Sequence, residues 1–142
     1  MLLSIKAAAC HAAWYAYTVI GRGEPGMPYW AASPEQIKST EDGVRKMDQI
    51  VDSEDFANMD LEKLCFLMHE NWMQFKVQSG WRYGKVKDLD KKEHPCLVSY
   101  DKLPQEEKNK DKVFIQAYLS IKSLEYNSKQ EAKDTTQSGN AD

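Results

Sequence analysis

Cysteine is scarce in this chain. Only three occur in 142 residues, at positions 10, 65 and 96. An odd, widely spaced set is no disulfide scaffold and fits a reducing compartment better than a secreted one. Long hydrophobic runs are missing as well: nowhere do about 18 apolar residues follow one another, so no transmembrane helix is expected. Neither sign of charge dominates, with 19 Lys and Arg against 22 Asp and Glu for a net −3. That total is too small to argue for bulk nucleic-acid or membrane-surface attraction. Several motifs are absent too. There is no Walker A loop, no G-x-S-x-G, no C-x-x-C and no H-x-x-x-H. Each cysteine has a histidine nearby (Cys10 with His11, Cys65 with His69, Cys96 with His94), but the pairs fall in three separate segments. Buried thiols are therefore expected rather than a metal centre or a Cys/His nucleophile. Gly21-Arg22-Gly23-Glu24-Pro25-Gly26 matches the dinucleotide fingerprint letter by letter. It lacks the strand before and the helix after that phosphate binding needs.

What the chain does contain suits one packed core: 42% hydrophobic residues and 11% aromatic, with four Trp and seven Tyr. Residues 4 to 20 are Ala-rich without Gly or Pro and predict a helix, stopped by Gly21 and Gly23, with Gly21 able to act as the left-handed cap. Lys6 interrupts the apolar start and no basic region precedes it. The segment is therefore expected to be a helix of the mature, cytoplasmic protein rather than a signal peptide. Residues 21 to 32 read as a loop anchored by Tyr29 and Trp30. Ser33-Pro34-Glu35-Gln36 then predicts a helix start, with Ser33 as N-cap. Ile37, Val44, Met47 and Val51 share one face of that helix, and Gly43 within it points to a packing constraint. A third helix is predicted from Asp60 to Ser79, closed by Gly80. Residues 81 to 100 are turn-rich, and Cys96-Leu97-Val98 is β-prone. Pro104 opens a last helix, with Phe114, Tyr118, Ile121 and Leu124 as its buried face. From Asn127 the polar tail, 127–142, is expected to be disordered.

The most specific pattern lies in residues 69–108. It comprises His69-Glu70-Asn71-Trp72, Lys76, then Gly80-Trp81-Arg82-Tyr83-Gly84. Lys92-Glu93-His94-Pro95-Cys96-Leu97-Val98, Tyr100, Leu103-Pro104 and Glu107-Lys108 complete it. This resembles the RyR domain, the repeat of ryanodine receptor channels. Upstream, Cys10-His11, Trp30 and Gly43-Val44 resemble features of small free-standing RyR-domain proteins of bacteria and phages. The chain departs from that pattern at Ala12, Ala13 and Trp14, and at Lys85, where Pro is common. It shows one clear copy of the motif.

The resemblance implies a mainly α fold: a compact single-domain helical module over residues 1–126 with a few short β-strands. It also implies ligand binding without catalysis. The expected ligand is a nucleotide-derived small molecule, adenine-containing or cyclic, that the protein senses or sequesters in phage–bacterium conflict. The alternative is a protein-interaction module that docks a host or phage protein. No cofactor or metal is implied, and a homodimer or higher homo-oligomer is expected.

The residues suit the ligand reading. Trp81 or Tyr83 can stack on a base, at roughly 1–3 kcal/mol per base, or can pack in the core. Arg82, Lys85, Lys91 and Lys92, with Lys87, supply cations for phosphate. His94 can donate to an oxygen or simply form a turn, and Tyr100 can close the pocket. Splitting the charge supports a local anion site: residues 33–70 carry ten acidic and four basic groups, whereas 81–112 carry nine basic and seven acidic.

Overall fold

A computed structural model describes residues 2–140, with side chains through residue 135. Four α-helices dominate: α1 (Leu3–Tyr15), α2 (Pro34–Val51), α3 (Leu61–Gln78) and α4 (Gln105–Asn140). The fold is mainly α, with two short strands, β1 (Arg82–Tyr83) and β2 (Glu93–His94). None of the described helices is long and apolar enough to cross a membrane.

Local sequence explains most helix boundaries. The Ser33 hydroxyl accepts the Gln36 N–H at 3.2 Å and Pro34 takes the first helical position of α2. Asp60 caps α3 through the Lys63 N–H at 2.8 Å. Each cap satisfies a donor that the helix itself cannot. α1 continues into one wide π-helical turn, Ala16–Ile20. Gly21 stays right-handed there, and the left-handed residue is Gly23, at φ 71°. Both glycines end the helical stretch as expected, but the left-handed position falls on Gly23 rather than Gly21.

Around the bundle, α1 packs on α2 and α4, and α3 closes the far side against α2 and α4. The core takes Ala7 and Cys10 from α1, Val44, Met47 and Ile50 from α2, and Leu64, Cys65 and Met68 from α3. Ile115 and Tyr118 from α4 complete it, with Tyr100 and Leu103. A Cβ on Gly43 would lie 3.1 Å from the Phe114 ring, so the glycine admits α4 closely.

Two expectations are corrected. Trp30 anchors nothing and is 88% exposed, whereas Tyr29 packs on the core. Leu124 is exposed, because the buried face of α4 runs Ile115, Tyr118 and Glu125. Glu125 is held by Lys6 at 3.3 Å, and Lys6 also reaches Asp48, which accepts a hydrogen bond from the Tyr118 hydroxyl. In the structure α4 runs on through the polar segment after Asn127 to Asn140. Lys129, Gln130, Glu131, Ala132 and Lys133 are strong helix formers, and Lys129 lies 3.9 Å from Glu125 one turn back. Residues 141–142 lie outside the described part.

Ser33→Ala removes a cap that nothing else replaces. It is expected to cost about 1 kcal/mol, read as a lower urea midpoint with unchanged slope.

Candidate functional site

The last turns of α3 carry His69, Trp72 and Lys76, and the geometry of the helix end sets the position of Trp81. Gly80 is left-handed, at φ 91°, and donates to Val77 at 3.0 Å while Trp81 donates to Lys76 at 2.9 Å. This paired closure turns the chain back so that Trp81 lands beside the last helical turn. The Lys76 ammonium sits 4.9 Å from the Trp81 ring centre, and the indole N–H donates to Glu35 of α2 at 3.0 Å.

His94 meets Trp81 from β2, edge-on at 6.1 Å, and meets Trp72 edge-on at 4.9 Å. Its Nδ1 accepts the Cys96 N–H at 3.0 Å, which places the neutral imidazole's proton on Nε2. Behind it, His69 stacks on Trp72 at 5.5 Å and donates from Nε2 to the Val98 carbonyl at 2.7 Å. His69, Trp72, His94 and Trp81 thus form one continuous stack between α3 and the segment that leads to α4. Burial is the main cause that lowers the pKa of both imidazoles, His94 to about 4 with Lys87 and Lys76 adding to the effect. Both rings are neutral at pH 7.

The strands are parallel, with Arg82 opposite Glu93 and Tyr83 opposite His94. Any side chain on Gly84 would strike Glu93, so glycine is required there. The β-prone Cys96-Leu97-Val98 forms no strand, because its backbone is engaged by His94 and His69.

These contacts sort the residues named from the sequence. Trp81 is 4% exposed, with Lys76 over its ring and His94 against it, so it presents no open face at the surface of this structure. Tyr100 closes no pocket. It is buried, its hydroxyl donates to Glu62 at 2.9 Å, and Lys108 lies over its ring. His94 is spent on the stack. Lys92 adopts φ 53° and donates to the Ser79 carbonyl at 2.8 Å, capping α3. Arg82 lies 3.8 Å from Glu93 but remains exposed. Tyr83 is 54% exposed and has no ring contact among the described residues. Lys85, Lys87 and Lys91 are exposed and have no carboxylate partner among the described residues. The structure therefore brings Tyr83, Arg82, Lys85, Lys87 and Lys91 to one outer loop and sends Trp81, His94 and Tyr100 inside.

Lys76 belongs to the pattern read from the sequence, but Glu35 escaped that reading as a part of this region. Glu35 lies 46 positions from Trp81, and no local pattern links them. The exposed apolar residues Val86 and Leu89, 76% and 72% exposed, also escaped it.

The cysteines make no reactive site. Burial is the leading cause that pushes Cys10 and Cys96 to about 12 and Cys65 to about 11, so all three remain thiols at pH 7. Among the described residues no three His, Cys, Asp or Glu side chains could hold a metal ion. Gly21–Gly26 lies between the π-helical turn and a short 3-10 turn at Tyr29–Ala31, with no strand before it.

Two outcomes test the stack. Trp81→Ala is expected to destabilise the fold by about 3–5 kcal/mol, as removal of a buried Trp does, measured by urea unfolding. The second concerns pH. His94 has a folded pKa of about 4 against 6.5 when unfolded. Below 6.5 the unfolded state binds a proton that the folded state refuses, so the His94 contribution is full above 6.5 and lost toward 4. Asp111, raised to about 7 by burial, works in the opposite sense. The readout is thus the difference between the wild type and His94→Gln, which is expected to narrow from pH 7 to pH 4.5. A constant difference would show that His94 is not held neutral by the fold.

A family model described as the RyR domain matches residues 47–130. No solved structure matches the chain significantly. The matched span covers α3, the complete stack, both strands and most of α4, and takes in more than half of the chain; this protein belongs to the RyR domain family.

Proposed function

We propose that this protein binds a nucleotide-derived anion without turning it over, as a cytoplasmic module that senses or sequesters the ligand. The observation that carries the reading is the 82–92 loop. It presents the open ring of Tyr83 beside Lys85, Lys87 and Lys91, which lack carboxylate partners among the described residues. A base stacked on Tyr83 gains roughly 1–3 kcal/mol. Phosphate oxygens gain charge-assisted hydrogen bonds from the lysines. The positive potential at this end is also felt by His94, whose charged form is opposed first by burial and then by Lys87 and Lys76. The stack underneath holds the loop in place, so little ordering of the base of the site is needed on binding. Binding without chemistry suits thiols held protonated and imidazoles engaged in internal contacts.

A second reading, docking of another protein on the same loop, is favoured by the exposure of Val86 and Leu89 between the lysines. Both side chains have the character of a hydrophobic contact with a polar rim.

Calorimetric titration with a panel of adenine nucleotides, cyclic oligonucleotides and cyclic ADP-ribose forms distinguishes the readings. One member is expected to bind. Tyr83→Ala and Lys87→Glu are each expected to weaken it by about tenfold or more, with unfolding midpoints unchanged. Failure of the whole panel to bind, or unchanged affinity in both variants, would overturn the nucleotide reading.

A further inference from the structure

The two ends of α3 carry opposite surfaces. At its C-terminal end, residues 82–92 contain Arg82, Lys85, Lys87, Lys91 and Lys92 against Asp88 and Asp90. Asp88 is already occupied, since its carboxylate accepts the Asp90 and Lys91 N–H groups at 3.0 Å each. Between these cations stand Tyr83, Val86 and Leu89, exposed by 54%, 76% and 72%. At the N-terminal end, residues 52–62 hold Asp52, Glu54, Asp55, Asp60 and Glu62 and no basic residue. All five carboxylate residues are exposed. Asp60 and Glu62 serve the α3 cap and Tyr100, whereas Asp52, Glu54 and Asp55 have no ion-pair partner among the described residues. Leu61 and Phe66 are exposed at the edge of this corner, by 37% and 36%.

We propose that the basic, apolar 82–92 loop of one molecule docks on the acidic 52–62 corner of a second copy. Charge argues for this occupant over a self-paired loop. A two-fold contact would set five cations and two carboxylates against the same set, whereas the head-to-tail contact sets them against a corner with no basic residue, three of whose carboxylates, Asp52, Glu54 and Asp55, are unpaired among the described residues, and buries Val86 and Leu89. The two surfaces cannot meet within one molecule, because the 18 residues of α3 hold them about 27 Å apart. A contact between different patches leaves a free patch on each end. Assembly therefore proceeds to a ring or a short filament rather than stopping at a symmetric dimer. The head-to-tail contact gives the protein-docking reading its partner and does not depend on nucleotide binding.

Sedimentation velocity over a concentration series, with no nucleotide present, tests it. Association is expected at low salt and at least tenfold weaker at about 0.5 M salt, where the Debye length falls below 5 Å. Val86→Glu/Leu89→Glu removes the loop surface and Asp52→Lys/Asp55→Lys removes the corner. Each variant alone is expected to be monomeric, with native circular dichroism and unfolding midpoint. Mixed together, they retain one good loop and one good corner and are expected to form a 1:1 dimer that grows no further. A monomer at every concentration and salt, association unaffected by either variant, or a mixture that stays monomeric would overturn the proposal. Calorimetry with the nucleotide panel reads the other proposal separately.

Discussion

Neutral imidazoles wedged among tryptophans hold this protein in shape. His69 stacks on Trp72, His94 sits edge-on between Trp72 and Trp81, and Lys76 covers the outer ring. Each imidazole also takes part in one hydrogen bond with the 96–98 backbone, His69 as donor and His94 as acceptor. That combination suits histidine. A flat ring fills an aromatic stack as phenylalanine would, and its nitrogens satisfy loop groups that burial would otherwise leave unpaired. The arrangement requires both rings to be uncharged, and burial ensures it. In α1, His11 likewise combines a backbone hydrogen bond with ring contacts: it donates to the Met27 carbonyl at 2.7 Å and packs against Trp14 and Tyr29.

The stack decides what the surface can do. The Gly80 turn belongs to the end of α3, so Trp81 packs as a helix cap residue and not as the first residue of a strand. Strand alternation counted from Trp81 would put Tyr83 on the same side. Because the strand begins only at Arg82, Tyr83 faces outward while Trp81 faces in. The most recognisable residues of the motif are therefore internal supports. The intervening positions, Arg82, Tyr83 and the lysines, form the outer face on which the proposed binding rests.

Legibility in the sequence depends on the range of the interaction. Ser33, Pro34 and Asp60 act within one helical turn, and the starts of α2 and α3 could be read directly. Gly43 could be identified as a packing position, although Phe114 as its neighbour could not. Features that depend on distant partners were hidden. Glu35 holds the Trp81 indole from another helix. On α4, Glu125 occupies the buried face because Lys6 of α1 meets it, and a search for apolar residues passes to Leu124 instead. The segment after Asn127 is polar in composition yet rich in residues that extend a helix once it has been started, and α4 runs on into it. For the site, the loop and its cations were legible. Which aromatic faces outward was not, because that depends on where the helix ends.

The claim that the motif builds a scaffold can be examined at one atom. The Trp81 indole N–H is buried and bonded to Glu35, whereas Trp30 is almost fully exposed. Hydrogen exchange of the four tryptophan indole protons, followed by NMR and assigned with single Trp→Phe variants, compares them within one sample. The account predicts that the Trp81 indole proton exchanges orders of magnitude more slowly than that of Trp30 and speeds up in Glu35→Gln or His94→Gln. Exchange of Trp81 as fast as that of Trp30 would contradict it, and would return Trp81 to the surface as a residue free to bind.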